Sequence, residues 1–367
     1  MRRLSALPVL LGLAVALAAP GARAQDATVS LGPPWDAAAE RLLIQGSTDI
    51  EPFTPVLEAF AARFPQLAIR YEEILTNELY DRARQACEAG AAGADLVISS
   101  AIDLQVKLVN DRCAQPHVSD RTGALPAWAN WRDEMFGITF EPAVIVYNRE
   151  RVPPQQVPRS RFDLIDLVRP AENPYAGRIA TYDIEQSGLG YLFAFVDSQH
   201  ATTFGRLIEA FARNNMVATC CSAEIIDGVA EGRYLLAYNM LGSYALARAA
   251  VDPRIGVVAP DDYTLILARA ALIPRWAANP APARRFVDFL LSEDGRRQLA
   301  AASLIVPFGS GDDGAPLLSG GPSTLAPIAF SPALLVGLDR QKREIFLDLW
   351  RASVGRLGGR RPENEGD

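Results

Sequence analysis

Spacings that mark covalent or acid–base chemistry are scarce in this chain. Histidine occurs twice, as His117 in a polar loop and His200 between two helical stretches, where a surface or capping role accounts for each. No HExxH, GxSxG or lysine-bearing glycine-rich phosphate loop occurs. The 43 acidic residues allow facing carboxylates, but no spacing singles out a pair of the kind glycoside hydrolysis needs. What recurs is a hydroxyl or a glycine at the point where a short apolar run gives way to an amphipathic stretch. Such junctions stand at Gly46-Ser47-Thr48-Asp49, at Ser99-Ser100-Ala101, at Glu185-Gln186-Ser187-Gly188, and at Gly242-Ser243-Tyr244 following Asn239. Each precedes a helix start, where unpaired N–H groups and the positive end of the helix dipole suit a phosphate or carboxylate. The same residues as ordinary N-caps contribute about 1 kcal/mol each with no ligand. Two junctions in each of two halves point beyond capping, to a cleft that binds an anion.

The elements that must position these junctions follow from the apolar pattern. Strands are expected at 42–47, 69–74 and 94–100, alternating with helices at 52–65, 77–93 and 103–111. This alternation predicts an α/β lobe with a mostly parallel sheet flanked by helices, whose ligands bind at the carboxyl ends of the strands. The run 136–152 is long, strand-like and interrupted by Glu141-Pro142; it reads as a crossing to a second lobe. There the alternation resumes: strands at 177–183, 234–240 and 255–260, helices at 187–198, 201–215, 222–233 and 242–250. The apolar run 264–274 reads as the crossing back, followed by a long helix at 280–302 with an Asp-Gly kink or break and a C-terminal helix at 339–357. The expected organisation is a first lobe of 25–140 plus 264–357, a second lobe of 141–263, and a disordered tail at 358–367. Glu141 and Tyr263, at the two crossings, are expected to line the cleft.

The composition suits such a molecule: 49% hydrophobic and 22% charged over 367 residues, enough chain for two domains of ordinary size. The first 24 residues read as a cleaved export signal. Arg2 and Arg3 are followed by the apolar stretch 7–19 and by Ala22-Arg23-Ala24. Without that segment and its three arginines, 33 basic face 43 acidic side chains, a net −10. So acidic an exported chain is a poor partner for nucleic acid, while a local field inside a cleft is still free to favour an anion. In an oxidising compartment Cys87, Cys113, Cys220 and Cys221 should pair, simplest as Cys87–Cys113 with a vicinal Cys220–Cys221 bridge. Metal-ligand spacing is absent from them, and no cofactor is expected.

Taken together, the segments 45–73, 94–111, 140–153, 182–193 and 238–248 resemble the periplasmic solute-binding proteins of ABC transporters. The resemblance is to the group that binds ferric iron, phosphoglycerate or sugar phosphates, and it covers nearly the whole chain after residue 24. It implies a type II periplasmic binding fold: two α/β lobes joined by two extended crossings that close on a ligand like a hinged clamp. It implies no catalysis, a periplasmic monomer, and an inner-membrane permease or a sensor kinase as partner. Ferric binders of the group use two adjacent tyrosines, with a histidine or glutamate. Here the corresponding stretch after Asn239 reads Met240-Leu241-Gly242-Ser243-Tyr244, with no tyrosine pair, and the first loop has Ser47-Thr48-Asp49 with no histidine. The expected ligand is therefore a small organic anion, phosphorylated or carboxylated. Ser47, Thr48, Asp49, Ser99 and Ser100 would hold it from the first lobe, and Ser187, Gly188, Gly242 and Ser243 from the second. A ferric-iron binder, a ligand-presenting sensor and a secreted hydrolase are the alternatives.

Overall fold

The computed structural model describes residues 27–200, 202–306 and 325–354; the expected export signal and the tail at 358–367 lie outside them. After β1 (Ala27–Leu31) and β2 (Glu40–Gly46) come α1 (Ile50–Ala61), β3 (Leu67–Glu73), α2 (Thr76–Ala89), β4 (Leu96–Ser99) and α3 (Ile102–Asn110). A single-turn α4 (Asp120–Gly123) and the strands β5 (Asn130–Trp131) and β6 (Met135–Gly137) lead into β7 (Glu141–Asn148). Then follow α5 (Arg161–Leu167), β8 (Ile179–Tyr182), α6 (Gly188–His200), α7 (Phe204–Arg213) and β9 (Val217–Thr219). The second lobe continues with α8 (Ser222–Ala230), β10 (Leu236–Leu241), α9 (Gly242–Val251) and β11 (Ile255–Val258). β12 (Thr264–Leu267), β13 (Ala270–Leu272), α10 (Pro280–Leu290), α11 (Glu293–Ala301), β14 (Leu325–Pro327) and α12 (Arg340–Val354) complete the described chain.

Two sheets result, one per lobe. The first runs β1–β3–β2–β4–β13–β6–β5 and the second β14–β12–β7–β10–β8–β9, with β11 also on β7. Each is mixed rather than mostly parallel. β2 runs parallel to β3 and β4, and β8 to β9 and β10, as strand–helix alternation requires. The strands of the crossings enter antiparallel: β13 against β4 and β6, and β7 against β10, β11 and β12. No helix intervenes on a crossing, so the chain arrives in the opposite sense.

Helix faces follow the apolar spacing. In α1, Phe53, Val56, Leu57 and Phe60 fall at i, i+3, i+4 and i+7, and all are buried. They pack with Leu42, Ile44 and Phe286 into the first lobe's core, where each buried side chain contributes about 1.5–3 kcal/mol. Gly90 ends α2 in the left-handed conformation at φ +61°, which glycine adopts without a Cβ clash. A second cluster fills the outer part of the second lobe, and a third spans both lobes, joining Ile102 and Val106 to Leu189, Leu192, Phe193 and Met240.

Three boundaries differ from expectation. The apolar run 264–274 is two strands in different sheets: β12 pairs with β7 and β14 in the second, β13 with β4 and β6 in the first. The return therefore occurs at Ala268-Arg269, after β12, and not at 263. The interruption expected at Asp294-Gly295 within 280–302 is a break and falls earlier, at Leu291-Ser292, where the Ser292 hydroxyl accepts from the Gly295 N–H and starts α11 anew. Finally, β14 and α12 belong with the second lobe, because Leu347 and Trp350 are buried in its core and β14 extends its sheet.

Candidate functional site

A cleft of about 970 Å³ lies between the lobes. Six helices start on its walls. From the first lobe come the starts of α1 at Asp49, of α2 at Leu75 and Thr76, and of α3 at Ser100. From the second come those of α6 at Ser187, of α8 at Cys221, Ser222 and Ala223, and of α9 at Leu241 and Tyr244. Strands run into all six junctions from behind, which is why hydroxyls and small residues gather there. Each helix start brings about half a positive charge and its unpaired N–H groups.

The two walls use those groups differently. On the first lobe those at the entries to α1 and α3 are satisfied from within, while α2 begins at Leu75 with no side chain capping it. The Ile50 N–H donates to Glu73 Oε2 (2.8 Å), Ser100 N–H to Ser47 Oγ (3.1 Å), Ala101 N–H to Ser99 Oγ (3.1 Å) and Thr48 N–H to the Tyr71 hydroxyl (3.1 Å). On the second lobe Ser187 Oγ caps α6 through the Gly190 N–H (3.0 Å), whereas α8 begins with no side chain capping its first turn. Tyr182 and Ser222 share a hydroxyl–hydroxyl bond of 2.6 Å beside that start, and burial pushes the Tyr182 phenol up to about 12. Carboxylates also line the first-lobe wall: Asp49, Glu73 and Glu78, the last accepting from Arg82 (2.6 Å). Burial, and then the nearby Asp49, raise the proton affinity of Glu73. The lobes also touch. Tyr244 donates to Asp49 Oδ1 (2.8 Å), Gly188 N–H to Thr76 Oγ1 (3.0 Å), and Asn77 Nδ2 to the Gln186 carbonyl (2.8 Å).

On the cleft wall, almost wholly buried, lies an arginine that the sequence reading did not single out. Arg269 is 1% exposed and Glu141 0%. The Arg269 Nε donates to Glu141 Oε1 (2.8 Å) and Nη2 to Oε2 (3.3 Å), while Nη1 donates to Thr48 Oγ1 (3.1 Å) and the Ser47 carbonyl (3.3 Å). Thr139 and Ser243 hydroxyls complete the Glu141 carboxylate. Burial works against the Arg269 charge, but Glu141 first and Tyr244 next hold the guanidinium protonated. One pair thus ties the outgoing crossing to the returning one and braces a helix start in each lobe. A lone arginine inside the apolar run 264–274 was its signal, since a charge placed there must be buried against a partner.

Of the residues expected around a ligand, the structure brings Ser47, Asp49, Ser100 and Ser187 to the cleft wall. The others lie behind it or elsewhere. Ser99 accepts from the Ala101 N–H just ahead of α3; Thr48, Glu141 and Ser243 belong to the Arg269 network; Gly188 bonds across the lobes; and Gly242 packs on Pro142. Asn239 sits in a β-bulge of β10 at φ +59°, a conformation asparagine tolerates, and its amide donates to Asp197 (2.8 Å). Tyr263 is turned into the second lobe, donating to Asp197 Oδ1 (2.6 Å) with its ring 3.6 Å from the Arg161 guanidinium carbon. That buried carboxylate and arginine claim both residues, so neither faces the cleft. His117 is buried on Asp288 (3.0 Å), and His200 ends α6.

Both disulfides are formed, Cys87–Cys113 and Cys220–Cys221. The first joins the end of α2 to the segment after α3. The second lies on the cleft wall, with Cys221 as the N-cap residue of α8. Among the described residues no group of three or more His, Cys, Asp or Glu side chains is arranged to hold a metal ion.

Residues 92–324 match the family model described as bacterial extracellular solute-binding protein. No curated protein sequence matches the chain. Among solved structures, the substrate-binding protein of an ABC transporter from Agrobacterium tumefaciens is 34% identical, with a TM-score of 0.81 over 91% of this chain and 100% of that one. Two more distant structures share the fold. AfuA of Actinobacillus pleuropneumoniae with fructose-6-phosphate bound is 14% identical, with a TM-score of 0.67 over 87% of this chain and 100% of that one. Iron-bound HitA of Pseudomonas aeruginosa is 16% identical, with a TM-score of 0.64 over 86% and 99%.

Proposed function

The chain belongs to the bacterial extracellular solute-binding proteins, the substrate-binding components of ABC transporters, and from that premise we propose that its cleft captures a small organic anion, phosphorylated or carboxylated, in the periplasm and hands it to an inner-membrane permease. Such proteins bind a solute and leave its bonds intact; the protein is not an enzyme. The observation that carries the ligand class is the convergence of six helix starts on one cleft, with the first turn of α8 left uncapped. An anion seated there accepts from the Ser222 and Ala223 N–H groups and from the Ser187 and Ser222 hydroxyls. The crossings hinge the lobes together, and the Arg269–Glu141 pair keeps the two helix starts at Ser47 and Gly242 in register as they close.

The ligand bound to AfuA is of this class, whereas HitA holds iron. The cleft favours the former. Fe³⁺ calls for hard, anionic oxygen donors. The phenols here, Tyr182 and Tyr244, are engaged by Ser222 and Asp49, and burial raises both pKa values, against phenolate.

Calorimetry of the chain lacking residues 1–24, against phosphoglycerate, sugar phosphates, small carboxylates and ferric citrate, tests the reading. Tight binding of an organic anion is expected; tight iron binding with no organic anion would overturn it. Ser187→Asp and Ser222→Asp sharpen the test. Aspartate is a good residue at a helix start and leaves the helices intact, yet its charge beside the anion lowers affinity at least roughly tenfold.

A further inference from the structure

The two walls of the cleft are electrically unlike, and resting on the anion reading above, we infer that the solute is bipolar: its anionic group meets the second lobe at α8, and a cationic nitrogen at its other end meets Asp49 and Glu73 on the first. On the first lobe the N–H groups of Ile50, Ser100 and Ala101 are taken by Glu73, Ser47 and Ser99, and those of Arg269 by Glu141, Thr48 and Ser47, which leaves the uncapped start of α2 at Leu75 as the donor that wall keeps for an anion. Otherwise it offers acceptors. Glu78 is matched by Arg82, and Glu141 by Arg269. Asp49 and Glu73 make no ion pair among the described residues, and both line the cleft. Asp49 uses one oxygen to accept from Tyr244, and Glu73 uses Oε2 to accept from Ile50, so each keeps a carboxylate oxygen for another donor. Two neighbouring carboxylates, one of them raised in proton affinity by burial and by the other, are relieved by a ligand cation between them. A plain alkyl phosphate or carboxylate leaves them facing each other unmatched. Asp49 and Glu73 are on this account the residues that set specificity, by admitting an ammonium where a methyl or a second anion would be refused.

Matched pairs of ligands test this on the chain lacking residues 1–24. O-phosphoethanolamine is compared with ethyl phosphate, 3-aminopropyl phosphate with propyl phosphate, and β-alanine with propionate, by calorimetry at one pH and salt concentration. The amino member of a binding pair is expected to be tighter by roughly ten- to a hundredfold, the worth of a charge-assisted hydrogen bond. In Asp49→Asn/Glu73→Gln that gap closes. Glu73→Gln alone keeps the oxygen that accepts from Ile50, and narrows the gap in a variant whose fold is verified by a thermal melt matching that of the native chain. Because the readout is a ratio within one protein, misfolding cannot mimic it. If ethyl phosphate, propyl phosphate or propionate binds as tightly as its amino partner, the inference is overturned and the anion reading stands. If no member of any pair binds, the anion reading falls and takes the inference with it.

Discussion

Replacing Glu141 by glutamine removes one charge at the point where both crossings meet. In the native protein its carboxylate accepts from Arg269 Nε and Nη2, from Thr139 Oγ1 and from Ser243 Oγ, with no exposure to water. Glutamine has nearly the same shape but turns one of those oxygens into a donor that faces other donors, and it leaves the buried guanidinium uncompensated. Breaking one partner of a buried pair costs about 3–5 kcal/mol. The exposed pair Arg213–Glu209, one helical turn apart on α7, supplies the contrast. There Glu209→Gln should cost no more than about 0.5 kcal/mol. Urea unfolding followed by circular dichroism compares the two variants at pH 7. A double replacement, Glu141→Met with Arg269→Met, should recover much of the loss, since the desolvation of both charges is removed together. If Glu141→Gln is as mild as Glu209→Gln, the claim that this pair holds the crossings together is wrong.

Further outcomes follow from other sites. Asp103 on α3 is fully buried, with Oδ1 lacking a hydrogen-bond partner among the described residues, and burial raises its pKa from 3.8 to about 7. The native state therefore holds a proton that the unfolded chain releases, so the stability associated with Asp103 falls as pH rises from about 4 towards 7. Asp103→Asn should gain stability at pH 8 and flatten the urea midpoint across that window; an unchanged pH profile would refute it. At Gly188 an added Cβ would stand 2.7 Å from Asn77 Oδ1 and 3.0 Å from Thr76 Oγ1. Gly188→Ala should wedge the lobes apart, raising the radius of gyration in small-angle scattering and weakening ligand binding, and an unaltered radius and affinity would contradict that. Removing Cys87–Cys113, which spans 26 residues, with a serine pair should cost about 3.5 kcal/mol in urea unfolding.

The lobe order was legible in the sequence because strand and helix periodicities alternate cleanly from Leu42 to Asp111 and again from Ile179 to Val258. The crossings were legible only in part. The run 136–152 was marked at Glu141-Pro142, where β7 begins, whereas 264–274 was read as one crossing although it holds two strands of different sheets, divided by a single charged residue. In the second run that mark was Arg269, readable as a buried ion in want of a partner but silent about which of 43 acids would supply it. Helix-start chemistry was legible as residue type, which is why Ser47, Asp49, Ser100 and Ser187 reach the cleft. It did not separate a hydroxyl turned to the cleft from one turned inward, and Ser99 and Ser243 point into the protein because the Ala101 N–H and the Glu141 carboxylate claim them first. Asn239 and Tyr263 were drawn away by Asp197, a buried carboxylate on α6 whose need for donors is visible only in three dimensions.

The claim that the cleft carries an organic anion is tested most directly by native mass spectrometry of the protein purified from the cells that make it, without added ligand. The account predicts one small molecule per chain, released intact by mild denaturation and bearing a phosphate or carboxylate together with an amine. A bound ferric ion with no organic anion, or a released molecule chemically altered by the protein, would contradict it.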